Sequence, residues 1–138
     1  MFSKQISVFV ENRNGRLSEI MNVIKESGAN LRALSLADTS NYGVLRFIAD
    51  NSDKALASLK EAGMMASVAD VVTVRLKDEA GGLANMLAKL SEFNIGVAYA
   101  YAFISRKDGE ACVVLRCSDD EKAAEILSGA GYLPAESL

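Results

Sequence analysis

The chain has no histidine, no tryptophan, one proline and two cysteines among its 138 residues. Each scarcity closes off a class of chemistry. Without histidine, the commonest general base and the commonest metal ligand are both missing. Cys112 and Cys117 stand an odd number of positions apart. On one strand they would point to opposite faces, so they read as small buried hydrophobes rather than a disulfide, redox or metal pair. No apolar run approaches the roughly 20 residues a membrane helix needs. Polar Ser7 and acidic Glu11 interrupt the N-terminal stretch, so it does not read as a secretion signal; a cytoplasmic protein with no membrane partner is expected. Positive charge is also short: the net charge of −3 gives no bulk attraction to nucleic acid, and no nucleic-acid partner is expected.

What is present suits a compact fold. Half of the residues are hydrophobic and 24% are charged, enough for a core and against disorder. The length admits one ordinary domain or two very small ones. A repeat decides for two. Glu11-Asn12-Arg13-Asn14-Gly15-Arg16-Leu17 stands between an alternating run, Ile6 to Val10, and a helical pattern of Leu17, Ile20, Met21 and Ile24. Asp78-Glu79-Ala80-Gly81-Gly82-Leu83 repeats that arrangement 66 positions on, ahead of Met86, Leu87 and Leu90. Each is a strand-to-helix turn with a glycine free to take a backbone conformation other residues resist. Each aims the unpaired leading amides of a helix outward, where an anion such as a carboxylate can be held.

The first copy reads as strand Gln5–Val10, helix Leu17–Ser27 ended by Gly28, and extended Leu31–Ala37. A turn, Asp38-Thr39-Ser40-Asn41, leads to strand Gly43–Ala49. A helix capped by Ser52 or Asp53 and ended by Gly63 follows, and Met64–Asp70 supplies a fourth strand. The second copy starts at Val72, Val74 and Leu76. Its helix runs from Leu83 to about Phe93, and two strands, Val97–Phe103 and Ala111–Cys117, flank an Asp108-Gly109 hairpin. Ser118 with Glu121 forms a capping box for the last helix, and Tyr132–Leu138 is the last strand, with Pro134 marking a sheet edge. Twice-repeated βαββαβ is the ferredoxin-like plan. The expected class is α+β: two tandem modules, residues 1–70 and 71–138, each an antiparallel sheet with its helices on one face. The joint Asp70-Val71-Val72 contains no Gly, Pro or Ser, so no flexible linker is expected.

Val8 to Leu17, followed by Ser27-Gly28-Ala29-Asn30-Leu31, resembles the ACT domain, a small ligand-binding module found in enzymes of amino-acid metabolism. The resemblance covers essentially the whole chain and is stronger in the first copy. It implies a regulatory protein, not an enzyme, that binds an amino acid or related small metabolite at the strand-helix turns between packed modules. Asn12, Gly15 and Asn30 match effector-contacting positions of the family, and Asn14, Arg16 and Leu17 complete the first turn. Asp78, Gly81, Gly82 and Leu83 form the second. The family's proline before the glycine is replaced by Asn14 and Ala80. Asp78 and Gly96 stand where the first copy has Asn12 and Asn30, so the second site is expected to be weaker or to prefer another ligand. The implied partners are a small-molecule amino acid, a second copy of the chain in a homodimer, and an enzyme of amino-acid metabolism. No cofactor, no metal and no catalytic residue is implied.

Two rival readings remain. One is a structural regulatory subunit with vestigial sites; the other is a small enzyme, against which stand the lack of a cofactor loop and of a nucleophile beside a base. Glu11 and Glu79 read as solvated turn charges, and Asp119-Asp120-Glu121 as helix capping rather than a cation site. Tyr99, Tyr101 and Phe103 share one strand face and read as a contact between modules or subunits. Ala98, Ala100 and Ala102 share the other face, which a helix could approach closely.

Overall fold

The computed structural model describes residues 1–38, 40–104 and 107–135. The elements run β1 (Phe2–Glu11), α1 (Arg16–Glu26), β2 (Leu31–Asp38), β3 (Tyr42–Ala49), α2 (Ser52–Glu61), β4 (Ala66–Lys77), α3 (Gly82–Glu92), β5 (Val97–Ile104), β6 (Glu110–Cys117), α4 (Asp120–Gly129) and β7 (Leu133–Pro134). The chain divides into two compact units. One is Lys4–Asp70; the other runs from Val71 onward and includes Met1–Ser3.

In the first unit, alternation along β1 turns Ile6, Val8 and Val10 inward and leaves Phe9 and Glu11 exposed. β3 runs antiparallel between β1 and β2, pairing Ile6 with Phe47 and Phe47 with Leu34. α1 buries Ile20 and Ile24, and α2 buries Ala55 and Leu59, against that inner face. Ile6, Val8, Ile20, Leu45, Phe47 and Leu59 are fully enclosed. Each such side chain is worth about 1.5–3 kcal/mol relative to exposure. The second unit repeats the plan with β5-β6-β4-β7, α3 and α4. Val72, Val74, Met86, Leu90, Leu115 and Leu127 form its core. Met1 packs against this core, and its carbonyl accepts from Thr73 N at 2.7 Å. The architecture is the duplicated ferredoxin-like one, α+β with antiparallel strands.

Several local expectations are corrected. The expected strand Met64–Asp70 starts only at Ala66 and runs without a break into the one expected from Val72, as the single strand β4, because nothing between Ala66 and Lys77 breaks extended structure. Neither Ser52 nor Asp53 caps α2: Asn51 does, accepting from Lys54 N at 3.1 Å. Nor does Ser118 form a capping box. Asp119 caps α4 by accepting from Lys122 N at 3.0 Å, while Ser118 Oγ accepts from Gly96 N at 3.0 Å and ties β5 to the end of β6. Asp120 accepts from Cys117 N at 2.7 Å and pairs with Arg116 at 3.2 Å, so the acidic run is spent locally. Ala98, Ala100 and Ala102 are exposed; no helix of the unit covers them. Thr39, in the expected turn, and residues 136–138 of the expected last strand lie outside the described residues.

Both cysteines are free and buried, and Cys117 packs with the second core. Burial, aided by the nearby Asp120 carboxylate, pushes the Cys117 thiol up to about 11, which leaves it unreactive. Among the described residues, no helix is long and apolar enough to cross a membrane, and no group of three or more acidic or cysteine side chains is arranged to hold a metal ion.

Candidate ligand site at the strand-helix turns

The two turns share one backbone. Gly15 and Gly81 cap α1 and α3 in the left-handed conformation, with φ of 84° and 85°. Arg16 N donates to Arg13 O at 3.3 Å and Gly82 N to Glu79 O at 3.1 Å. Glu19 N donates to Gly15 O at 3.0 Å and Asn85 N to Gly81 O at 2.9 Å. Even the tie to the neighbouring hairpin repeats: Asn12 N donates to Asn41 O, and Asp78 N to Gly109 O.

Their side chains do opposite things. At the first turn Arg13 grips Glu19 with two hydrogen bonds, 3.1 and 3.0 Å, and Arg16 reaches the same carboxylate at 3.0 Å. Glu11 lies 3.3 Å from Arg13 Nε and 3.9 Å from Arg16. Two acids and two bases close on one another. The hydrogen bonds from Arg13 and then Arg16 hold the Glu19 carboxyl below its ordinary range, and the same contacts raise Arg13. Glu11, expected as a solvated charge, belongs to this cluster. Asn12 Nδ2 donates to Ser40 O at 3.4 Å, Asn14 and Gly15 are exposed, and Leu17 packs on the core.

The second turn has glycine where the first has Arg16 and asparagine where it has Glu19, and it is open. A cavity of about 350 Å³ lies there, lined by Arg75, Leu76, Lys77, Glu79, Gly82 and Asn85 from the turn and its flanks. Glu110, Gly131, Tyr132 and Leu133 close it from β6 and the α4–β7 connection. Arg75 is already engaged, with Nε donating to Pro134 O at 3.0 Å and a terminal nitrogen 3.5 Å from Glu110. Among the described residues, the side chains of Lys77, Glu79 and Asn85 make no hydrogen bond or ion pair. Gly82 is needed for a second reason. A Cβ there would stand 2.7 Å from Lys77 O and 3.1 Å from Leu76 Cδ1. Asp78 and Gly81 are exposed beside the cavity, and Leu83 is 41% exposed.

Asn30 does not join the turn of its own unit. β1 and β2 both run antiparallel to β3, with Glu11 opposite Tyr42 at one end and Leu31 opposite Ala49 at the other. Asn30 therefore sits at the far end of the sheet, where its N–H donates to Asp50 Oδ1 at 2.8 Å. Arg75, Lys77, Glu79, Asn85, Glu110 and Tyr132 were not singled out as site residues from sequence. The signal that could have found them is the repeat: Gly82 and Asn85 against Arg16 and Glu19.

A family model described as an ACT domain pair matches residues 1–132. Among solved structures, protein BT0572 from Bacteroides thetaiotaomicron is 35% identical over 98% of this chain and 94% of its own, with a TM-score of 0.90. The regulatory subunit of aspartate kinase from Thermus thermophilus shares the fold at 14% identity and a TM-score of 0.66, covering 94% of this chain and 95% of that one. A structure of aspartokinase alpha and beta subunits does so at 16% and 0.61, covering 95% of each chain. Comparison with curated proteins gives no match. The chain belongs to the ACT domain pair family.

Proposed function

We propose that this chain is an amino-acid-binding regulatory protein and that the cavity at the second turn, between β4 and α3, holds the ligand. The observation that carries the reading is the pair of unspent opposite charges, Lys77 and Glu79, with Asn85 beside them, around a cavity of about 350 Å³. A free amino acid presents a carboxylate and an ammonium a few bonds apart, and this lining offers a partner for each. The leading amides of α3 add to the carboxylate's partners. Asp78, which would repel a carboxylate, suits the ammonium side. This reverses the expectation that the first turn is the stronger site. There the charges of Arg13, Arg16, Glu11 and Glu19 neutralise one another, which favours reading Asn12, Asn14, Gly15, Arg16 and Leu17 as a structural turn.

Regulation then follows from differential affinity: a ligand that binds one arrangement of the chain better than another shifts the population, and a partner reads the shift. The Thermus thermophilus chain with this fold is the regulatory subunit of an aspartate kinase. For this chain we propose the same kind of role, toward an enzyme of amino-acid metabolism, without carrying over which enzyme. The test is a thermal-shift screen against single amino acids. A ligand at ~100 times its Kd adds ~2.7 kcal/mol. Lys77→Met and Glu79→Gln should each remove the shift, and Arg16→Ala should leave it. A shift that survives both cavity variants but is lost in Gly15→Asp would return the site to the first turn. No shift from any amino acid would leave the vestigial reading standing.

A further inference from the structure

A second cavity lies in the first unit, away from its strand-helix turn. The alternation of β1 puts Ser7 and Phe9 on the face opposite the enclosed Ile6 and Val8, and Val44 of β3 stands across from Phe9. After α2 the chain turns back at once: Met64 N donates to Leu59 O at 3.0 Å, and Met64 packs on the core. Met65 O then accepts from Phe9 N at 3.1 Å, which brings the chain entering β4 alongside β1. Between this approach and the last turn of α2, which carries Lys60, a space of about 340 Å³ remains. That is within the ordinary size of a small-molecule site.

Its lining joins an apolar wall to a single cation. Phe9, Val44, Met64 and Met65 supply a ring, a branched side chain and two thioethers, and Phe9 and Met65 stay 48% and 71% exposed. Ring and thioethers make a polarisable, adaptable surface for an apolar body. The polar side chains are Lys60 and the hydroxyls of Ser7 and Ser67. Among the described residues, none of these three makes a side-chain hydrogen bond or ion pair. No lining residue is acidic. The cavity of the second unit has matched positions and opposite chemistry: Phe9 stands where it has Arg75, and Met64 and Met65 where it has Tyr132 and Leu133. There Glu79 can meet an ammonium group. Here no lining residue carries the charge to do so.

We propose that this cavity binds a small monocarboxylate with an apolar body and no ammonium group, of the kind an apolar 2-oxo acid presents. The Lys60 ammonium takes the carboxylate, the two hydroxyls donate to the remaining oxygens, and the apolar body lies against Phe9, Val44, Met64 and Met65. An α-amino acid of the same shape would bring in an ammonium group with no anionic partner, and that group would lose hydration without compensation. The cavity therefore separates an apolar 2-oxo acid from the amino acid with the same side chain. It shares no residue with the second-turn cavity, so the two sites stand or fall separately.

Methyl NMR of the methionines reads the site directly, with the two signals assigned by Met64→Leu and Met65→Leu. Titration with 4-methyl-2-oxopentanoate, the 2-oxo acid matching leucine, should shift both signals along saturable curves, and leucine at the same concentrations should not. Lys60→Met, which keeps an apolar stem and removes the charge, should weaken binding of the oxo acid about tenfold. Lys77→Met and Glu79→Gln should leave that binding unchanged, whatever they do at the second turn. Equal saturable shifts with leucine, an affinity untouched by Lys60→Met, or no saturable shift at all would overturn the proposal. So would Met64 and Met65 signals that move on dilution of the protein alone, which would give this surface to a second copy of the chain.

Discussion

The turns after β1 and β4 share their hydrogen bonds and the left-handed φ of Gly15 and Gly81, yet the side chains of one bind one another in an ion cluster and those of the other line a cavity. The difference lies in a few side chains. Arg16 and Glu19 join a four-residue ion cluster in the first unit; Gly82 and Asn85 leave about 350 Å³ open in the second. One strand over, the contrast repeats. Phe9 meets Tyr42 with ring centroids 5.4 Å apart, whereas the equivalent positions hold the ion pair of Arg75 and Glu110. A duplicated scaffold can thus keep its backbone geometry twice while spending its side chains on cohesion in one copy and on a lined space in the other.

The comparison can be broken most forcefully in the cores. Leu59 and Leu127 occupy matching places on α2 and α4, both fully enclosed. Leu59→Ala and Leu127→Ala should each cost about 2–5 kcal/mol in urea unfolding; a much smaller loss in one would show that the units are not equally packed. Next comes the helix start. Gly82→Ala puts a Cβ 2.7 Å from Lys77 O and should cost about 1–3 kcal/mol while narrowing the cavity. Arg16→Ala at the matching position removes only partly exposed ion pairs and should cost under about 1 kcal/mol. Similar losses would mean that the two helices approach their strands alike. The pair that should differ least is Gly15→Ala and Gly81→Ala. Neither added methyl meets another atom within 4 Å, so each pays only for the left-handed backbone, about 1–2 kcal/mol, and equally in both turns.

The duplicated fold was legible because its signals are local: the Gly15 and Gly81 turns, the alternation in β1, the glycines that follow each helix. Caps were less so. Runs such as Asn51-Ser52-Asp53 and Ser118-Asp119-Asp120 offer several oxygens within one turn, and which of them caps depends on where the preceding strand ends. Ser118 was lost to its tie with Gly96, a partner 22 residues back. The unbroken β4 was hidden because extended sequence on both sides of Asp70 looks the same whether or not the strand stops. The cavity was hidden more deeply. Its lining joins β4 and α3 to Glu110 and Tyr132, and its emptiness depends on side chains that are not there. The ion cluster of the first turn spans Glu11 to Glu19 and could have been suspected, but its closure on itself rests on the geometry of the turn.

The finest distinction between the turns is their response to acid. Glu19 accepts hydrogen bonds from Arg13 and Arg16, which hold its carboxyl below the ordinary value of 4.5. A carboxyl depressed in the folded state contributes stability that is fully present above its unfolded pKa and lost as pH falls through the folded one. The contribution should therefore fade below about pH 4.5, and it should be small, because the cluster is solvent-exposed and screened by salt. The second turn has Asn85 at this position, which does not titrate in that range. Thermal unfolding at low ionic strength, followed from near-neutral pH down through the Glu19 range, separates the two. Glu19→Gln should flatten the acid limb of the curve, and Asn85→Gln should leave it unchanged. Identical acid limbs for wild type and Glu19→Gln would show that the cluster seen at the first turn does not stabilise it in solution, and the contrast between a filled turn and an open one would then rest on space alone.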